Sequence, residues 1–502
     1  LFEGSDWDFD LIQRVYDAIE QIALKEMGLD IYPNQIEVIS VEQMLDAYSS
    51  VGMPLFYKHW SFGKQFVAND LLYRKGLRGL AYELVINSDP CINYIMQENS
   101  ATMQTLVIAH AAFGHNHFFK NNYAFRQWTD ATGILDYMDF AKRYIADCEE
   151  RYGLSAVERL LDTAHALMNQ GVHRHPRIRA RDLKAEATRE AERQAYRDRI
   201  YDDLWRTLPT GPARATDKGN DHRKALNLPQ ENILYFLEKY GPKLEPWQRE
   251  ILRIVRLIAQ YFYPQRQTKV MNEGAASYCH YRIMSTLHQR GQITDGSFLE
   301  FLQSHTNVLH QPLFDSGHYG GFNPYALGFG IMQDITRICE HPTDEDRRWF
   351  GNIAGSGDAM AVLRDAWANY RDESFILQFL SPHMIREWRL FKILDAEGAA
   401  TMSVDAIHDE RGYQRVRHAL AREYDVGQQE PDLQIVDVDM KGDRHLMVEH
   451  LVSNNILLHE ADAVMVMQNL ANLWGYEVHL CEVDAVSRRQ IKGHTFKPQL
   501  RS

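Results

Sequence analysis

Apolar positions along this chain fall mostly at helical spacing. Phe9, Ile12, Val15, Tyr16, Ile19, Ile22 and Ala23 recur three and four apart, which predicts an amphipathic helix over 7–29, closed by Gly28. Met44, Leu45 and Tyr48 mark a second helical pattern between Val41 and Val51. Tyr82-Glu-Leu-Val-Ile-Asn-Ser-Asp-Pro reads as extended and turns at Asn87 to Pro90, and from Ile92 the pattern predicts helix again. Val157, Leu161, Ala164 and Met168 form the core face of a helix over Leu154 to Gln170. Ile251, Ile254, Val255, Ile258, Tyr261 and Phe262 form another, which ends at Pro264. Further helices are expected at 269–284, around His305 and His310, and at 331–340, 343–350 and 358–370.

After about residue 395 the period changes. Val436, Val438 and Met440 alternate along one strand, Lys441-Gly-Asp makes a turn, and Arg444 to Leu451 forms a second strand. A helix over Glu460 to Trp474 stops at Gly475, and Tyr476 to Val483 is a third strand. With the helix near Gly412 to Tyr424, the order is helix, strand, strand, helix, strand. The expected architecture is therefore a mostly helical domain over 1–395 and a small α+β domain over 396–502. Within the first, 173–230 reads as an insert. Arg and Glu alternate through Lys184-Ala-Glu-Ala-Thr-Arg-Glu-Ala-Glu-Arg, as on a solvated helix, and Pro-Thr-Gly-Pro and Lys-Gly-Asn-Asp follow in a loop or lid.

Composition narrows the function classes. A formal charge of −13 argues against a nucleic-acid binder that relies on overall charge. No apolar run is long enough to span a membrane. The first residues lack the basic and apolar regions of a secretory signal, and five scattered cysteines without a CxxC point to reduced thiols and a cytoplasmic setting.

The densest chemistry lies in Val107-Ile-Ala-His-Ala-Ala-Phe-Gly-His-Asn-His-Phe-Phe-Lys-Asn-Asn. Three histidines, His110, His115 and His117, stand among apolar residues, and imidazole is the commonest transition-metal ligand. On a regular helix His110 and His117 return to one face. His115 joins them only if the backbone is distorted, for instance by a bulge near Gly114. Glu273 and His280 repeat the seven-residue spacing in Met271-Asn-Glu-Gly-Ala-Ala-Ser-Tyr-Cys-His, beside Gly274, Ala275 and Ala276, which would admit a closely packed helix. Glu98 offers a further carboxylate at the end of its run. Glu158, Asp162 and His165 form a polar line with one carboxylate-to-histidine spacing of the kind dimetal bundles use twice.

These segments resemble one family, the stage V sporulation protein R (SpoVR) family. The resemblance runs through Trp7-Asp-Phe-Asp-Leu-Ile-Gln-Arg, His59-Trp-Ser-Phe-Gly-Lys, the Tyr82 and Val107 segments, Met271-Asn-Glu-Gly-Ala-Ala-Ser-Tyr-Cys-His, Asn323-Pro-Tyr-Ala-Leu-Gly-Phe and Tyr370-Arg-Asp-Glu-Ser-Phe. The family often has Trp where Ala275 and Cys279 stand here, a difference that alters shape without removing Glu273 or His280. The resemblance implies a link to spore cortex formation or to stress physiology. It also implies association with a PrkA-type serine kinase and a von Willebrand-like partner protein. It carries no catalytic residues.

Two function classes follow. The first is a metal-dependent hydrolase acting on an amide or peptide bond. His110, His117 (or His115), Glu273 and His280 would hold a divalent metal such as Zn, and Glu273 or Glu98 would move a proton. The spacing departs from the zinc-protease helix, whose two histidines are four apart. The second is a non-enzymatic scaffold or regulator working through the kinase partner. A redox dimetal protein using Glu158, Asp162 and His165 is a third option.

Overall fold

The structure is a computed structural model in which residues 1–49, 57, 59–60, 83–173, 226, 228–312, 319–390, 392–394, 403–405, 409–439, 442–453 and 456–499 are described. The charged helix and most of the loop expected within 173–230 lie outside these residues. The chain is mostly helical, with a small carboxy-terminal α+β domain. It divides into two compact units, Leu1–Leu154 with Gln260–Gln429, and Ser155–Ala259 with Glu430–Ser502.

In the first unit, helix α1 (Phe9–Glu20) starts at Asp8, whose carboxylate accepts the Leu11 N–H, and continues as a π-helical stretch, Gln21–Glu26. A three-stranded sheet follows in the order β1 (Asn34–Ile39), β3 (Cys91–Met96), β2 (Glu83–Ile86), with β1 parallel and β2 antiparallel to β3. The helix expected from Ile92 is therefore the strand β3. All six of its residues are buried, Asn93 among them, and a run buried on both faces has no period that separates strand from helix.

The histidine stretch comes next: α2 (Ala101–Ile108), a π-helical turn (Ala109–His115) and α3 (Asn116–Asn121). It packs on α4 (Lys269–Gln289), which is buried along most of its length and so shows almost no polar face. Helices α5 (Asp295–Val308) and α6 (Pro324–Glu340) complete the surround, followed by α7 (Asp372–Phe379), α8 (Pro382–Glu387) and α9 (Glu410–Glu423).

Small residues set the closeness of this packing. A methyl group on Gly114 would lie 2.6 Å from Ala276 Cα, and one on Gly274 would lie 2.6 Å from Gly328 Cα. The π-helical turn and α6 therefore press on α4 backbone against backbone, where no side chain can yield.

In the second unit the sheet order is β4 (Leu433–Val438), β5 (Leu446–Val452), β6 (Val478–Asp484), β7 (Gln490–Phe496). The pairs β4–β5 and β6–β7 are antiparallel, whereas β5 and β6 run parallel across helix α10 (Glu460–Trp474). Gly475, in the left-handed conformation, ends α10 as its sequence position predicts. The fourth strand, β7, had no signal in the sequence. It is an edge strand with mostly exposed side chains and an internal glycine, so apolar alternation is absent.

Candidate metal centre

The π-helical turn decides which histidines meet. Asn116 N–H donates to the Ala111 carbonyl five residues back, the hydrogen-bond span of a π-helix. Residues five apart then fall on one side, and the His110 and His115 rings stand edge to face with centroids 4.6 Å apart. The same shift turns His117 away. Its Nδ1 lies 2.9 Å from the Asp30 backbone, and its ring meets the Trp367 indole edge-on.

Two carboxylates face the paired rings. His110 Nε2 lies 3.4 Å from Glu83 Oε1 on β2 and 3.9 Å from Glu273 Oε2 on α4. His115 Nε2 lies 3.6 Å from that same Glu273 oxygen, which is buried and lacks a hydrogen-bond partner. Tyr325, at the start of α6, stacks beside His110 and hydrogen-bonds Glu273. Asp372, at the start of α7, accepts the Val270 and Met271 N–H groups at 2.8 Å each and so fixes the end of α4 that carries Glu273.

The outer nitrogens of both histidines are occupied. His115 Nδ1 lies 2.9 Å from Asn272 Oδ1, an acceptor, so Nδ1 carries the proton and Nε2 is bare. His110 Nδ1 lies 2.9 Å from His280 Nδ1, and His280 Nε2 lies 2.7 Å from His305 Nδ1. Two arrangements satisfy this chain when every ring is neutral, and only the outward one, from His110 to His280 to His305, also accommodates a proton on both nitrogens of His110.

Electrostatics supports that assignment. Burial, and then the neighbouring His110, push His115 down to about 4; burial also brings His305 to about 4 and His280 well below its usual value, so these rings are neutral near pH 7. Burial opposes charge on His110 too, but Glu83 and Glu273 outweigh it and raise its pKa. Glu273 is pushed up by burial, yet contact with His110 and His115 brings it below the ordinary carboxylate range. Burial raises Glu83, with His110 pulling the other way.

The donor set fits a small divalent cation. Zinc bonds to nitrogen and carboxylate oxygen run about 2.0–2.2 Å, so a tetrahedral shell has edges of roughly 3.3–3.5 Å. Glu83 Oε1 and His110 Nε2 are 3.4 Å apart, and the ligand atoms of Glu83, His110 and His115 all lie within 4.8 Å of one another, close enough for a small shift to enclose an ion. Glu83, His110 and His115 form one of two His/Cys/Asp/Glu groups of suitable spacing among the described residues; the other, Asp439, Asp443 and His445, is much more exposed.

Of the residues singled out in the sequence, His110, His115, Glu273 and His280 come together, with His280 behind His110 rather than beside the carboxylates. His117 and Glu98 do not join them. Glu98 is exposed in the turn after β3 and accepts a bond from Gln97. Glu158, Asp162 and His165 lie on the Leu154–Ala166 helix and form no such group. Sequence reasoning missed Glu83 and His305. Glu83 did carry a signal, as the one charged residue within an otherwise apolar extended run.

Residues 6–429 match the family described as SpoVR like protein, and residues 431–485 match the SpoVR-like C-terminal domain. A relative described as "Uncharacterized protein YcgB", from Escherichia coli (strain K12), is 51% identical over 480 residues, covering 96% of this chain and 93% of the relative. No solved structure matches the chain. With both family regions in register along nearly the whole length, this chain belongs to the SpoVR family.

Proposed function

We propose that this protein is a metal-dependent hydrolase of acyl or amide bonds, with Glu83, His110 and His115 as ligands and Glu273 as the proton-moving carboxylate. One observation carries the reading. Two imidazoles present bare or displaceable Nε2 atoms to two carboxylates, while their Nδ1 atoms are held from behind by Asn272 and His280. Metal-ligating histidines are held in just this way, because an outer hydrogen bond fixes the tautomer and the ring orientation.

A divalent ion bound there supplies Lewis acidity and lowers the pKa of water towards neutrality. The remaining work falls to the side chains. Glu273 has one oxygen without a hydrogen-bond partner, suited to accept a proton from an attacking water and return it to a leaving amine. Its depressed pKa keeps it ionised at neutral pH. Tyr325, half-buried beside it, offers a hydroxyl to an oxygen that gains charge during attack.

Metal analysis of the purified full chain tests this. Wild type is expected to hold one ion per chain after loading with Zn²⁺, whereas Glu83→Gln and His115→Ala hold none at the same free zinc. A Glu273→Gln variant is expected to keep the ion and lose hydrolysis across a panel of acyl and peptide substrates. Wild-type protein that takes up no stoichiometric metal under any loading condition removes the proposal.

A further inference from the structure

Helix α6 carries a second feature apart from the histidine cluster. Between α6 and α8 lies a cavity of about 390 Å³, with Asp334, Phe329 and Leu309 on one side and Met384, Glu387 and Trp388 on the other. The Trp388 indole lies over Gly330, whose missing side chain makes the space: a methyl there would meet the ring at 2.8 Å.

The charges around this cavity do not balance. Arg337 is the cation in its wall, and each of its three nitrogens is engaged. Nε donates to Asp334 Oδ1 at 2.8 Å, and the two terminal nitrogens donate to Asp346 at 2.6 and 2.9 Å. Two carboxylates thus share one guanidinium, which leaves one negative charge in excess, and Glu387 adds another beside His383. Asp334 is only 7% exposed, and its second oxygen, Oδ2, is buried with no hydrogen-bond partner. A buried carboxylate oxygen without a donor costs free energy until a donor arrives.

From this we infer that the α6–α8 cavity binds an organic monocation, an alkylammonium group with a hydrocarbon body. A turn of the Asp334 carboxylate brings Oδ2 to the ammonium, which lies near the Trp388 indole, whose face attracts cations. The hydrocarbon body packs on Leu309, Phe329 and Met384. An anion is disfavoured because Arg337 is already committed to Asp334 and Asp346. A neutral alcohol of equal size loses the charge-assisted bond.

Titration of the full chain with n-hexylammonium chloride, 1-hexanol and sodium hexanoate, followed by saturation-transfer NMR, tests the inference. Hexylammonium is expected to bind saturably and about tenfold more tightly than hexanol, with hexanoate not binding. Asp334→Asn is expected to abolish the preference for the cation. Leu309→Trp, which enlarges a side chain of the cavity wall and leaves Asp334 and Arg337 untouched, is expected to abolish binding of both, and it serves if the asparagine variant fails to fold. Equal binding of hexylammonium and hexanol overturns the inference. So does cation binding that survives both variants, or no binding to wild type, in which case Oδ2 belongs to an internal water.

Discussion

Two buried histidine–carboxylate arrangements in this protein look alike and differ in kind. In the second unit, His450 on β5 and Glu482 on β6 are register partners in a parallel ladder, with Nδ1 3.1 Å from Oε2. The same Glu482 oxygen accepts the Leu458 N–H at 2.9 Å. One imidazole meets one carboxylate, and a backbone donor completes it. In the first unit two imidazoles meet two carboxylates, their outer nitrogens are taken, and a Glu273 oxygen is left without a donor. A closed pair explains itself by packing and hydrogen bonding. A cluster whose inward atoms are all acceptors, once one proton is removed from His110, asks for a cation.

The comparison can be broken at four points. Asn272→Ala removes the acceptor behind His115 without touching an inward atom; zinc affinity, read by competition with a chelating dye, is expected to fall roughly 10–100-fold. An unchanged affinity would make the His115–Asn272 bond mere packing. His450→Ala, by contrast, is expected to leave zinc affinity alone and to cost about 1–3 kcal/mol in denaturant unfolding, since Glu482 keeps its burial and loses a partner.

Acidity separates the two arrangements next. The proton on Glu83, raised by burial, is retained in the folded protein at pH values where the unfolded chain has lost it. The raised pKa of His110 acts in the same direction, giving stability that is present below its unfolded pKa and lost as pH rises through the folded value. Metal-free protein therefore loses stability from the cluster as pH rises through neutrality, while the depressed pKa values of His115, His280 and His305 make it lose stability on acidification as well. Zinc takes the place of those protons, so its gain in melting temperature should grow over the same interval and vanish on acidification. Melting curves with and without Zn²⁺ across that range check it; a gain that grows on acidification would contradict it. The smallest effect is expected at His117→Gln, with unchanged zinc affinity and a stability loss of about 1 kcal/mol from the Trp367 contact and the Asp30 hydrogen bond.

The sequence made the helices legible because their apolar residues face one way, as along α1. It made β3 illegible because a strand buried on both faces has no polar side to mark it. For the candidate site, the helical pairs were visible as spacing and the close approach as small residues at Gly114, Gly274 and Ala276. Which pair would serve was not visible, since α-helical arithmetic joins His110 to His117 and only a π-helical turn joins it to His115. Glu83 could not be linked by any local period, because a sheet and not a helix brings it in.

That turn has one more consequence, best put as phase. A π-helical turn is a regular helix holding one residue too many, and everything after it is rotated relative to the unbroken winding. The strand of chain from Ala109 to His115 thus behaves like a slipped tooth in a gear. Removing a single alanine there, Ala111 or Ala112, brings the two histidines four apart, the spacing at which an ordinary helix aligns them. The π-helical turn therefore absorbs the surplus residue, so that rings five apart meet as they would four apart on an ordinary helix. It sets how the chain beyond Gly114 is indexed, and so sends His117 to Asp30 and Trp367.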